Sequence, residues 1–254
     1  MERISLISPN ILDTVSHIIF VAPHGRDDIN TTLIAEHAAI ESNGYAVINN
    51  GWKKQRYYDY ESEFANCNNI QHLKNDVVKE EFFEPLIEFA CEIRKTCLIN
   101  PIICTIHGMS NNTILRSGVK DMDILIGHGR GGRLTIPDIG LKSICFFLDK
   151  LFYKTYIAGT NTRFSGKSKN NLIQLFSDPA WYQNIPIKYP VYPVTSCGIP
   201  AYSLQMEISY DLRDSDTLAI EVGKSIGYAL KQSIFEKNVN VFKNYNLKSI
   251  NRMF

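Results

Sequence analysis

The chain has 254 residues, enough for one large α/β domain or two small ones and long enough to bury a substantial core. Hydrophobic residues make up 44% and charged residues 21%, ordinary for a globular protein. With 27 basic and 26 acidic residues the net charge is +1, which gives no general electrostatic reason to bind nucleic acid or a membrane surface. Six cysteines, at 67, 91, 97, 104, 145 and 197, show no C-x-x-C spacing, and Cys104 and Cys145 lie in apolar runs. That pattern fits buried thiols in a reducing compartment better than a disulfide framework. The N-terminus carries no basic-then-apolar signal and no apolar run approaches the length of a membrane span, so the expectation is a cytoplasmic protein.

In chain order, residues 1–15 are mixed and are expected to wrap the surface. Ile18-Ile19-Phe20-Val21-Ala22 is an apolar, largely β-branched run, the pattern of a buried parallel strand, and Pro23-His24-Gly25 ends it. Asn30-Thr31-Thr32 offers N-caps for a helix through about Ser42, and Asn43-Gly44 is its stop. Tyr45 to Ile48 is a second strand, so the unit is βαβ and its strands should be parallel. Residues 51–73 form a polar, aromatic loop with Trp52, Lys53, Lys54, Arg56, Tyr57, Tyr58 and Tyr60, ending in Asn66-Cys67-Asn68-Asn69. Loops of that length in a compact domain are commonly functional.

A long helix over about 75–98 follows, with Val77, Val78, Phe82, Phe83, Leu86, Ile87, Ala90 and Ile93 on one face. The strand 101–106 runs into His107-Gly108. After a loop, Met122 to Gly127 is another strand, leading to the Gly-rich basic turn His128 to Arg133. This turn is a weak candidate for a phosphate cradle, because no helix with Lys-Ser/Thr follows at once. A helix over 140–153, a strand at 156–159 and a helix over about 168–176 come next. Residues 178–202, with Pro179, Pro186, Pro190, Pro193 and Pro200, are expected to be irregular. Ser203 to Ser209 alternates as a strand, placing Leu204, Met206 and Ile208 on one face and Gln205 and Glu207 on the other. A last helix is expected over about 215–236, and the Asn/Lys-rich tail 237–254 is expected to be loosely attached. The chain reads as a single α/β domain, a mostly parallel twisted sheet flanked by helices.

The chemistry concentrates where strands end. A lone His at a strand exit commonly serves only as a hydrogen-bonding loop residue. Here the strand-His-Gly arrangement occurs twice, at His24 and His107, and carboxylates follow the first at Asp27 and Asp28. If the two strands are neighbours, two imidazoles and one carboxylate converge, a donor set that suits Zn²⁺ with a position open to water. Glu207, on a strand among apolar neighbours, is the candidate proton acceptor and donor, since a carboxylate there is costly without a partner or a task. Arg116 and Arg163, flanked by Asn112, Ser117, Asn161 and Ser165, are candidates to bind a substrate carboxylate through the planar guanidinium fork.

These residues resemble those of the N-formylglutamate amidohydrolase family. The resemblance lies in Val21-Ala22-Pro23-His24-Gly25, Thr105-Ile106-His107-Gly108-Met109 and Ser203-Leu204-Gln205-Met206-Glu207-Ile208. It extends to Asn66-Cys67-Asn68-Asn69 followed by Val77 to Phe83, and covers roughly residues 17 to 230. That family is similar in fold to zinc carboxypeptidases and aspartoacylase-type deacylases. The resemblance implies a zinc site from a His-x-x-Glu pair and a later His, with a Glu on a late strand as general acid/base. Carried over, these are His24, Asp27, His107 and Glu207. Asp stands here where the deacylases have Glu, with Asp28 beside it. The substrate-binding Arg of the deacylases has no counterpart in Asn66 to Asn69, so that role moves elsewhere or is lost.

The function expected is therefore a zinc-dependent amidohydrolase. It would cleave a C–N amide bond of an N-acyl amino acid or a γ-glutamyl-type peptide, a small molecule or short peptide with a free carboxylate. The alternatives are a metal-free module binding an anionic ligand on the same fold and a phosphate-handling enzyme using the turn 129–133. A Ser or Cys hydrolase has no Gly-x-Ser-x-Gly elbow and no activated Cys to support it.

Overall fold

The computed structural model describes residues 3–53, 64–97, 100–115, 118–130, 133–159, 163–175 and 201–233. Its strands are β1 (Ile4–Ile7), β2 (Ile18–Ala22), β3 (Tyr45–Asn49), β4 (Ile102–Gly108), β5 (Ile124–Gly127), β6 (Gly129–Arg130), β7 (Arg133–Leu134), β8 (Thr155–Ile157) and β9 (Tyr202–Ile208). Its helices are α1 (Thr31–Ser42), α2 (Asp76–Val78), α3 (Glu84–Cys97), α4 (Asp138–Lys150) and α5 (Asp216–Gln232). Seven strands form one mixed sheet in the order β1-β3-β2-β4-β9-β5-β8. Strands β3, β2, β4 and β9 are mutually parallel, β1 is antiparallel to β3, and β5 is antiparallel to β9 with β8 parallel to β5. The α/β fold expected from the sequence is the fold present.

The apolar runs form the central strands because both faces of the sheet are covered. Phe20, Cys104, Ile106, Leu204, Met206 and Ile208 point into a core shared with α1, α4 and α5. Ile19, Val21 and Ile103 point the other way, onto Phe82, Phe83 and Leu86. The two-residue period of each strand sorts its side chains between these layers. From β2 the chain crosses through α1 to β3 on one side, while β4 lies on the other. The carboxyl ends of β2 and β4 therefore flank a topological switch point, where open α/β sheets form their binding crevice.

Four local expectations are corrected. Residues 4–7 form the edge strand β1 instead of wrapping the surface, since Ile4 is buried against the second core layer. Asn30 precedes α1 in the left-handed region, φ 56°, and makes no side-chain cap; its Nδ2 donates to the Arg213 carbonyl instead. The long second helix is built of α2, a π turn at Lys79–Phe83 and α3. The helix read over 168–176 is, within the described residues, a 3₁₀ turn at Leu172–Gln174 capped by Asn171. The stop at Asn43 is as expected, in the left-handed region at φ 53°. The loop residues 54–63, the proline-rich 178–200 and the tail 237–254 lie outside the described residues. Cys67, Cys91, Cys104 and Cys145 are buried, and burial pushes the Cys145 thiol up to about 12.

Candidate metal centre

His24 leaves β2 through Pro23, and Gly25 is obligatory behind it: a Cβ there would stand 2.6 Å from the Asn49 carbonyl oxygen. The chain then makes one helical turn, in which the N–H groups of Asp27 and Asp28 both donate to the His24 carbonyl at 2.8 Å. An i, i+4 relation brings Asp28 back over His24. Asp28 Oδ2 lies 3.6 Å from His24 Nδ1 and accepts from the Gly108 N–H at 3.1 Å. Asp27 is exposed. The carboxylate of the three-donor group is thus Asp28 and not Asp27, because the strand exit is a helical turn and not an extended loop.

His107 reaches the same point from β4. Its Nδ1 lies 3.3 Å from His24 Nδ1, and the rings meet edge to face at 5.0 Å between centroids. Donor atoms of His24, Asp28 and His107 all lie within 4.8 Å of one another. Both imidazoles are almost fully buried, at 3% and 4% exposure.

Two of the three donor separations suit a tetrahedral metal ion such as zinc. Ligand atoms about 2.0–2.1 Å from tetrahedral zinc lie about 3.4 Å from one another, close to the 3.3 and 3.6 Å found here. The His24 tautomer also fits. Asn66 Oδ1 accepts from the Asn68 backbone N–H at 3.1 Å, which identifies that atom as the oxygen. His24 Nε2, 2.9 Å away, must then carry the hydrogen and donate, leaving the Nδ1 lone pair aimed at the centre. Burial pushes the Asp28 carboxyl up, but the hydrogen bond and field of His24, the Gly108 N–H and the field of His107, with the imidazoles in the protonated form they take when no metal holds their lone pairs, outweigh it. Together they hold Asp28 at about 2, below its ordinary 3.8.

Glu207 stands beside the group. It pairs in register with His107 across the parallel strands β4 and β9, so the two side chains share one face. Only 8% exposed, it accepts from Gln205 Nε2 at 3.2 Å. Gln205 is itself held at the Phe164 carbonyl (2.7 Å) and by Asn171 Nδ2 (3.0 Å). The alternation read from residues 203–209 is the one observed, with Leu204, Met206 and Ile208 in the opposite core layer.

The remaining candidates are less gathered. Asn112 is exposed on the loop after β4, its N–H bonded locally to Ser110 Oγ. Arg163 opens the 3₁₀ turn Arg163–Ser165, whose Phe164 carbonyl binds Gln205. Arg116 lies outside the described residues. Asn69 caps the 3₁₀ turn Ile70–Lys74 through Gln71 N–H, so its side chain serves the fold. Within the basic stretch 129–133, Gly129–Arg130 and Arg133–Leu134 pair as the antiparallel strands β6 and β7, and α4 begins only at Asp138 behind Pro137. Sequence reasoning missed the contact of Asn66 with His24 and the whole of Arg213, whose side-chain partners are backbone carbonyls, two of them more than 100 residues away. Among the described residues, no helix is long and apolar enough to cross a membrane.

No protein-family model and no curated protein matches this chain. Among solved structures it is similar to N-formylglutamate amidohydrolase from Ralstonia eutropha JMP134, with a TM-score of 0.55 at 12% identity over 91% of this chain and 96% of that one. A bacteriophage poly-gamma-glutamate hydrolase gives a TM-score of 0.48 at 13% identity, over 89% and 86% of the two chains. A metallo-carboxypeptidase from Burkholderia cenocepacia gives 0.44 at 9%, over 90% and 59%. At such identity the first likeness is one of fold: this chain has the α/β architecture of the Ralstonia protein along nearly the whole length of both.

Proposed function

We propose that this protein is a zinc-dependent amidohydrolase cleaving the C–N bond of an N-acyl amino acid, N-formylglutamate-like, or of a γ-glutamyl-type peptide. The observation that carries the reading is the convergence of His24, Asp28 and His107 at a switch point, with Glu207 in register beside His107. His24 and His107 through Nδ1, with the Asp28 carboxylate, would hold the ion. When bound, zinc supplies Lewis acidity at the substrate carbonyl and makes water acidic enough to lose a proton near neutral pH. Glu207 takes that proton as the C–O bond forms and passes it to the leaving nitrogen as the C–N bond breaks, so that a carboxylic acid and an amine result. Gln205 Nε2 holds one Glu207 oxygen and so fixes the carboxylate. Asn66 keeps His24 in its binding tautomer.

The substrate carboxylate is assigned to Arg163 or Arg116, with Asn112 on the loop beyond β4. Support for Arg163 is that its turn is tied to Gln205 through the Phe164 carbonyl. The test is elemental analysis of protein purified without chelator, followed by a screen of N-acyl amino acids and γ-glutamyl peptides. About one zinc per chain and turnover of a carboxylate-bearing amide are expected. Absence of zinc together with retained binding of carboxylate ligands would replace the enzyme by a metal-free binding module.

A further inference from the structure

We propose that Arg213 is a positioning residue of the centre, its guanidinium tying together the three chain segments that carry Asp28, His107 and Glu207. This rests on the reading of those residues as the working site. Arg213 Nη1 donates to the Ile29 carbonyl at 3.0 Å, Nη2 to the Met109 carbonyl at 3.3 Å and Nε to the Ile208 carbonyl at 3.2 Å. These acceptors stand one residue beyond Asp28, two beyond His107 and one beyond Glu207. Two further bonds close the same knot: Asn30 Nδ2 donates to the Arg213 carbonyl at 3.1 Å, and Met109 N–H to the Ile208 carbonyl at 2.8 Å.

The guanidinium lies against Gly108. A Cβ at that position would stand 2.4 Å from Arg213 Cζ and 2.8 Å from Nε. The Gly of the second His-Gly pair is thereby explained: it is the floor on which Arg213 rests, and its N–H is the donor to Asp28 Oδ2. Arg213 is 7% exposed, and burying a guanidinium is costly unless its hydrogens are accepted. Three carbonyls at fixed spacing suit the planar fork, whereas a Lys ammonium is a point donor that does not span them.

The experiment uses the full chain carrying Arg213→Lys and, separately, Gly108→Ala, which keeps every polar group but displaces the guanidinium. Zinc affinity is measured by chelator competition, and amide hydrogen exchange is measured on the metal-free protein. Groups that orient metal ligands typically change affinity by about 10- to 100-fold, and that weakening is expected for both variants. The Met109 amide should exchange on the order of 10-fold faster, while those of Phe20 and Leu204 keep their protection. Wild-type zinc affinity or wild-type Met109 exchange in Arg213→Lys overturns the proposal. Uniformly faster exchange through β2, β4 and β9 also overturns it, because that is general loss of stability. If Arg213→Lys does not fold, Gly108→Ala decides by the same readings. If the wild type takes up no zinc, the proposed function fails by itself, and Met109 exchange still decides the role of Arg213.

Discussion

His24 gives its Nε2 hydrogen to Asn66 Oδ1, and this single bond determines which nitrogen of His24 faces His107 and Asp28. The acceptor character of Asn66 is secured in turn by the Asn68 N–H. Asn66→Ala should therefore lower zinc affinity by about 10- to 100-fold, while Asn66→Asp, which still accepts, should keep most of it. Competition against a chelator of known affinity measures both. Equal affinity of the Ala and Asp variants would remove the tautomer argument.

The turn after β2 separates the two neighbouring acids. Asp28→Asn should lose most zinc binding, and Asp27→Asn should leave it near wild type, because Asp27 is exposed and outside the donor group. Titration of each variant with zinc gives the answer. The reverse pattern would move the ligand back to the His-x-x-carboxylate position.

Glu207 should behave as a proton carrier. Such groups contribute roughly 10²- to 10⁴-fold in rate, so Glu207→Gln should bind zinc and fold normally yet lose on the order of 10² or more in turnover. Zinc content, Tm and turnover taken on one preparation separate this from a structural role. A lowered Tm with unchanged turnover would end the assignment.

Acid sensitivity should begin above the carboxylate range. Burial lowers His17 from 6.5 to about 4, and it also lowers His72 and His128. Between pH 6.5 and 4 the unfolded chain binds the proton that folded His17 refuses, so stability is full above about 6.5 and falls as pH drops toward 4. His17→Gln removes about one proton from that linkage. Its Tm should consequently fall less than that of the wild type between pH 7 and pH 4.5; an identical fall would contradict the assignment.

The elements most legible in the sequence were those whose pattern is local. The β-branched runs ending at Ala22 and Gly108 became the central strands, and the alternation around Glu207 appeared on the expected faces. Their adjacency, which brings His24 and His107 together, is a property of strand order. Both Asp27 and Asp28 were legible as candidates, but choosing Asp28 over Asp27 needs the pitch of a turn, which Gly25-Arg26 does not announce. Arg213 was hidden because its partners are carbonyls, which every residue has, and they lie up to 184 positions away. The expected helix at 168–176 lost to side-chain capping, since Asn171 Oδ1 takes the Ile173 N–H and starts a 3₁₀ turn.

The most direct measurement is zinc stoichiometry on purified wild type, His24→Ala and His107→Ala. About one zinc per wild-type chain is expected, as for catalytic sites with three protein ligands. Each variant should be folded but nearly metal-free. Full zinc retention in either variant, or a wild type that binds none when zinc is supplied, would contradict the zinc site.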